Sequence, residues 1–492
     1  MPVVPAVRGG GGAAMSGEVG VRAVSEGYAL DLVAPDGPRC RLRFGVPGEP
    51  VEGWTPGEDD LVYARAGDVE TRVRLFQDVA AWTVSITVDN RSEHPVQLPE
   101  LGLGVTLADR CVGWSWTSDL AGFIAVAAEA EKGPVAVVRL KQGFLRPVRE
   151  SPVFADAATS GEAFHLAPPR GALGPHRRHQ VTLQVELRPS LSSLADALPG
   201  WLPDVIVDAG EQVSFATPDE GVLPGDNVNV TLVDTTAVAS LENPGRGCVS
   251  LHGVRGVQRI WLAEAPSMEA LVPPLAEAVM LRRPGVRSSG AGLLVAEALA
   301  NGLVADEWAA LDWLEREAWL DRRDLEGVAI AATLALAGGD AGLLDDAWAA
   351  LAALPASRGF GLVTLKLGLA ALRLAGGAPP LAGELLARPG EDPDAALELA
   401  VLAGRLTPAH RGPLAAVVAS LGDVLPGQPL GLSALEAARR VALVRLCPPG
   451  FVSLRAAATA NKAYRLLLAD YATRLQPDVT GLGWLLLGDL GA

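Results

Sequence analysis

The feature that most limits what this chain can become is a change of hydrophobic period near Pro266. Before that point apolar and polar residues alternate. In Ala81 to Asn90, Trp82, Val84, Ile86 and Val88 alternate with Thr83, Ser85 and Thr87. In Leu101 to Leu107 the apolar set is Leu101, Leu103, Val105 and Leu107, and in Gln180 to Leu187 it is Val181, Leu183, Val185 and Leu187. A period of two places each set on one face of a half-buried strand. After Ser267 the spacing turns helical and the composition rich in Ala and Leu, both strong helix formers. The sequence therefore predicts a β part followed by an α part.

Turn chemistry punctuates the first part at short intervals: Pro35-Asp36-Gly37, Pro47-Gly48, Asp89-Asn90, Pro224-Gly225-Asp226-Asn227 and Asn243-Pro244-Gly245. Short strands without intervening amphipathic helices favour an antiparallel sandwich over a βαβ sheet. About sixteen strands are expected before Pro189. The expected organisation is a disordered leader over 1–15, with Met15 a candidate start, and an antiparallel, supersandwich-like β-sandwich over 16–189. A helical connection and a second β block follow over 190–265, either a separate small sandwich or the last part of one large one. An α-helical hairpin domain occupies 266–492.

About twelve helices are expected in that last part, among them 306–321, 408–421, 432–446 and 481–488. Leu336-Ala337-Gly338-Gly339 recurs as Leu374-Ala375-Gly376-Gly377, 38 residues on, the length of one helix-turn-helix unit. About six such hairpins stack into an open solenoid or a closed (α/α) toroid.

At 492 residues the chain exceeds what one core usually holds. A hydrophobic share of 49%, a charged share of 20% and a mean hydropathy of +0.26 exclude a disordered chain. The formal charge is −16, and lysine occurs only at Lys132, Lys141, Lys366 and Lys462. Such a surface repels phosphate backbones, so no nucleic-acid partner is expected. Cys40, Cys111, Cys248 and Cys447 are scattered and read as buried thiols; no metal and no cofactor is expected. The most apolar run, Leu362 to Ala375, is interrupted by Lys366 and Arg373, so no membrane partner is expected either. The absence of a signal-like segment points to a cytoplasmic location. A protein partner or a second copy of the chain stays open.

No phosphate-binding loop, Gly-x-Ser-x-Gly elbow, His-Glu-x-x-His pair or Gly-x-Gly-x-x-Gly turn occurs. His176 and His179 flank two arginines in a turn, where an exposed polar loop explains them better than a bound metal. One constellation suggests chemistry. On a helix running from Asp306 to Asp321, Trp308, Asp312, Glu315 and Trp319 would share a face. Two carboxylates for proton transfer between two indoles suit a sugar substrate, making Asp312 and Glu315 the catalytic candidates. The competing reading is a helix edge with solvated acids beside a stripe of Leu311, Leu314 and Ala318. Trp114 and Trp116, two apart on a strand, form a second candidate sugar platform or a packing face. Asp340, Asp345 and Asp346 read as helix-start carboxylates.

A large antiparallel sandwich, a short helical linker and about six helix pairs resemble the bacterial glucoamylases and maltose-type phosphorylases, which join a mutarotase-like β-supersandwich to an (α/α)6 toroid. The resemblance lies in element order. It implies a glycoside hydrolase or phosphorylase acting on an oligosaccharide or glycan, with the cleft where toroid and sandwich meet. The alternatives are a relative that binds a glycan or protein without turnover, and a helical-repeat scaffold.

Overall fold

The computed structural model describes residues 18–489 except 25–26, 46–61, 67, 78–80, 99–100, 129–133, 149–160, 169–170, 190–205, 217–220, 254–255, 282–287, 378, 422–427, 431 and 474–478. The expected leader over 1–15 and the helical connection from Ser190 to Trp201 lie outside these residues. The chain is β then α, as the period change requires.

Two antiparallel sheets make the large sandwich. The first has six strands in the order Glu18–Val24, Gly27–Ala34, Gly37–Gly45, Gly102–Leu107, Gly161–His165 and Arg146–Pro147. The second has eight and includes Cys111–Thr117, Gly122–Ala128, Val135–Gln142, Arg178–Arg188 and Ala81–Asn90. Alternation decides which side chains meet. Val84, Ile86 and Val88 from the second sheet are buried against a common core with Leu30, Leu42, Phe44 and Leu103 from the first. Each such side chain contributes about 1.5–3 kcal/mol on burial, so a one-residue slip in register would turn the whole set to solvent.

A second β module follows. Gly245–Gly253 and Gly256–Glu264 pair along their length in a four-stranded sheet, opposite a three-stranded sheet of Val213–Ala216, Thr236–Leu241 and Val228–Val233. Its core of Phe215, Ala237, Ala239, Val249, Ile260 and Leu262 is separate from that of the large sandwich.

Twelve α-helices are described after it: α1 Met268–Met280, α2 Ser289–Ala300, α3 Glu307–Glu315, α4 Leu325–Gly338, α5 Ala341–Ala353, α6 Phe360–Ala375, α7 Pro380–Leu386, α8 Pro393–Leu402, α9 Arg411–Ser420, α10 Ala434–Leu446, α11 Leu454–Thr473 and α12 Thr480–Asp489. Even-numbered helices pack in succession from α2 to α12, and α12 packs back on α2. The ring is closed, which excludes the open solenoid. Closure depends on α12, where a Cβ on Gly483 would stand 3.0 Å from the Leu294 amide nitrogen and one on Gly488 2.5 Å from Ala442 Cβ. Glycine allows α12 this close approach to both α2 and α10. The recurring Leu-Ala-Gly-Gly string marks the ends of two successive inner helices. Gly339 caps α4 at φ 66° and Gly376 caps α6 at φ 76°, both left-handed.

Both β modules dock on outer helices. Gln428–Leu430, in the connection from α9 to α10, adds as an edge strand to Cys111–Thr117. Three residues are too short for an alternating pattern, so the sequence signalled only a loop there. The Trp114 indole donates to the Ala419 carbonyl at 2.8 Å. The small module meets α11 through Arg246 to Asp470 at 3.0 Å and Arg465 to the Val207 carbonyl at 2.7 Å.

Candidate functional site at the mouth of the helical ring

Each outer helix leads back to the start of the next inner one, so the inner helices run parallel and their N-termini open on one face. That face carries the positive ends of the helix dipoles. The local sequence builds it: Ser288, Asp324, Asp392 and Ser433 each accept a hydrogen bond from an amide in the first turn of α2, α4, α8 and α10.

Charged groups from several inner helices meet there. Glu326 of α4 accepts from Arg439 of α10 and from the Trp484 indole of α12, both at 2.9 Å and both on Oε1. The Arg439 guanidinium also lies 4.2 Å over the Trp484 ring. Glu326 keeps 13% and Arg439 20% of their side-chain surface, so this cluster is reached from solvent. Around it Arg358 pairs with Asp392 at 3.1 Å and Asp394 at 3.3 Å, and Arg440 pairs with Asp394 at 2.9 Å.

Below the mouth the ring is filled. Glu398 of α8 is buried and accepts from the amides of Gly359 and Leu362, each at 2.8 Å, fastening the first turn of α6. Burial pushes its carboxyl up to about 7, against the amide donors and Arg439, which favour the charged form. Trp484 is wholly buried, and a Cβ on Gly359 would collide with its ring. Further down, Glu297 of α2 and Lys366 of α6 form a buried ion pair. Burial raises the Glu297 carboxyl and Lys366 opposes that rise.

The residues singled out from the sequence lie elsewhere. The expected helix over 306–321 is interrupted, because α3 ends at Glu315 and a separate 3-10 turn begins at Trp319. The shared face of Trp308, Asp312, Glu315 and Trp319 therefore does not form. Trp319 is 2% exposed, and its indole donates to the Leu314 carbonyl at 2.7 Å. Its ring packs near Trp313, with centroids 6.1 Å apart, in space left by the missing side chain of Gly292. Burying this indole outweighs another helical turn. The stripe beside it is Ala310, Trp313 and Leu314, while Leu311 is half-buried and Ala318 exposed. Trp308 is 83% exposed, Glu315 is exposed, and exposed Asp312 pairs with Arg316. All stand on an outer helix, away from the ring interior.

Trp114 and Trp116 do share a sheet face, but α9 packs against it. Trp114 is buried there, and half-buried Trp116 stacks on Phe123 with centroids 6.3 Å apart. Asp340 caps α5 through the Leu343 amide, while Asp345 and Asp346 are exposed. Exposed His176 lies 3.1 Å from Glu93. Among the described residues no group of three or more His, Cys, Asp or Glu could hold a metal. Burial raises the thiols of Cys248 and Cys447 to about 11 and that of Cys40 further.

Sequence reasoning missed Glu326, Glu398, Arg439 and Trp484. Glu398 had a signal, as the one charge in the apolar run from Ala395 to Ala403. Lys366 had the same signal, as the one charge between Phe360 and Leu372.

No family model matches the chain, and no curated protein matches it in sequence. Solved structures do match. A polysaccharide lyase superimposes with a TM-score of 0.52 at 12% identity, over 92% of this chain and 82% of its own. A family GH92 α-mannosidase from Bacteroides thetaiotaomicron aligns over 83% of this chain and 76% of its own at 10% identity, with a TM-score of 0.21 that carries no weight. At such identities the likeness to the lyase is one of fold.

Proposed function

We propose that the protein is carbohydrate-active, taking a glycan at the mouth of its helical ring and cleaving a glycosidic bond there by hydrolysis or phosphorolysis. The observation that carries this reading is the meeting of partly exposed Glu326 and Arg439 with buried Trp484, from three inner helices, at the N-terminal end of the ring. Cleaving a glycosidic bond takes a carboxyl group beside the bridging oxygen. Glu326 is oriented by two donors and still partly open, which suits it to contact the sugar. Asp394, held by Arg358 and Arg440 at the same mouth, is the second carboxylate. The fold likeness to a polysaccharide lyase supports carbohydrate as the ligand class without specifying the reaction.

The test is a panel of neutral and acidic oligosaccharides assayed separately for new reducing ends, sugar phosphate and unsaturated sugar. Reducing ends or sugar phosphate are expected from the native protein. Glu326→Gln should lower turnover about 100-fold or more while a cooperative melting transition shows that the variant still folds. Equal turnover in this variant would remove Glu326 from the mechanism.

A second reading is glycan binding without turnover. It is favoured by one feature: Glu297, Glu326 and Glu398 are each already bonded within the protein. Binding with none of the three products would select it.

A further inference from the structure

A second concave site lies outside the ring. A cleft of about 840 Å³ opens between the end of the large sandwich and strand Gly256–Glu264 of the small module, and it is lined by Asp119, Lys141, Arg146, His179, Gln180 and Arg259 among others. Its volume falls within the range of small-ligand sites.

Asp119 organises the cleft. It is 5% exposed and adopts φ 57°, a left-handed conformation that a non-glycine residue holds only when its surroundings enforce it. The surroundings do so: its carbonyl accepts from the Leu145 amide at 2.8 Å, and its carboxylate takes a two-pronged pair from Arg146, Nε at 2.9 Å and Nη2 at 2.5 Å. The Phe144 ring lies 5.0 Å from the Arg146 guanidinium. Arg259 comes from the other module, and its carbonyl accepts from the Ser118 hydroxyl, which ties the two walls together. Its Nε forms an ion pair with Asp119 at 3.6 Å, beyond hydrogen-bond distance, so the guanidinium is held in place while its N–H groups can still turn to a ligand. Lys141 stands exposed on the rim.

Charge completes the picture. Lys141, Arg146 and Arg259 outnumber Asp119, in a chain whose formal charge is −16. A local cationic excess within an acidic protein attracts anions. Planar guanidinium groups suit carboxylate and sulfate oxygens, and the flanking Gln142 and Gln180 amides both donate and accept, as sugar hydroxyls require.

We infer that this cleft binds a sugar bearing a carboxylate or sulfate group, with Arg259 and Lys141 as its anion contacts and Asp119 as the residue that positions the arginines. The inference rests on the carbohydrate reading above and adds a substrate class and a second place of contact.

Titration calorimetry on the full chain tests it with a uronic-acid oligosaccharide, a sulfated oligosaccharide, a neutral oligosaccharide of equal length, and inorganic sulfate alone. At least one acidic oligosaccharide should bind, more weakly as salt rises, with the neutral one and sulfate much weaker. Lys141→Gln, an exposed change, and Arg259→Gln should each weaken binding about tenfold or more; melting curves confirm that both variants fold. Glu326→Gln, measured alongside, reports the ring-mouth contact separately, and acidic-sugar binding that depends on Lys141 and Arg259 should persist in it. Equal affinity for the neutral sugar, equal affinity for sulfate, no acidic sugar bound, or affinity unchanged in both cleft variants would each overturn the inference. Loss of acidic-sugar binding in Glu326→Gln alone would also overturn it while leaving the ring-mouth reading intact.

Discussion

The interior of the helical ring and the cleft between the β modules both gather charged side chains, but they use them in opposite ways. Inside the ring the buried carboxylates described have partners: Glu297 has Lys366 and Glu398 has the amides of α6, and at the mouth Glu326 has Arg439. In the cleft cations outnumber carboxylates, and Arg259 stands beyond hydrogen-bond distance of Asp119. The difference follows from access to water. Deep in the ring an unpaired charge costs several kcal/mol, so it survives only when matched. At a cleft open to solvent the same charge is cheap to keep, and remains available to a ligand.

The comparison can be broken most forcefully at the bottom of the ring. Lys366→Met leaves Glu297 buried without its cation and should destabilise the fold by about 3–5 kcal/mol, whereas the double variant Glu297→Leu with Lys366→Met should recover most of that loss. Urea unfolding of the three proteins checks this. A single variant as stable as the native chain would mean that the ring interior is wetter than its packing indicates.

Glu398 provides the next largest effect, through pH. Its carboxyl lies near 7 in the folded chain, above the ordinary 4.5, so the folded state binds the proton more tightly than the unfolded one. Its contribution is therefore complete below about pH 4.5 and is lost as pH rises through 7. The window amounts to a change on the order of 3 kcal/mol. Glu398→Gln should flatten this slope, as unfolding measured between pH 4.5 and 8 would show. An equal slope in the variant would place the titration elsewhere.

The smallest effect sharpens the contrast between inside and outside. Asp312 and Glu315 stand exposed on outer helix α3, and Asp312 pairs with exposed Arg316. Exchanging both for their amides should change stability by no more than about 0.5 kcal/mol and leave glycan turnover unaltered. Turnover abolished in the pair would shift the reaction from the ring mouth to this outer face.

Much of the fold was legible because its signals are local. The alternation at Val84, Ile86 and Val88 is read from successive residues, and those side chains are buried as a set. Asp340, read from the sequence as a helix-start carboxylate, caps α5 through the Leu343 amide three residues on. The site was far less legible. Glu326 and Arg439 are 113 positions apart in the chain, and Glu326 and Trp484 are 158 apart. No periodicity over a window of a few turns can bring such residues together. The Trp308 to Trp319 face failed for a related reason, since extending one helix ignored the buried site that Gly292, in another helix, provides for Trp319.

The amino-acid sequence by itself determined the order of β and α parts and the strand faces, because each follows from side-chain spacing and turn chemistry within a few residues. Only the tertiary structure decided that the helices close into a ring, that Trp114 anchors the sandwich to α9, and which charges are paired with which. Those outcomes depend on distance and burial between residues remote in the chain: two glycines that let α12 approach its neighbours, and a carboxylate whose partner is supplied by another helix.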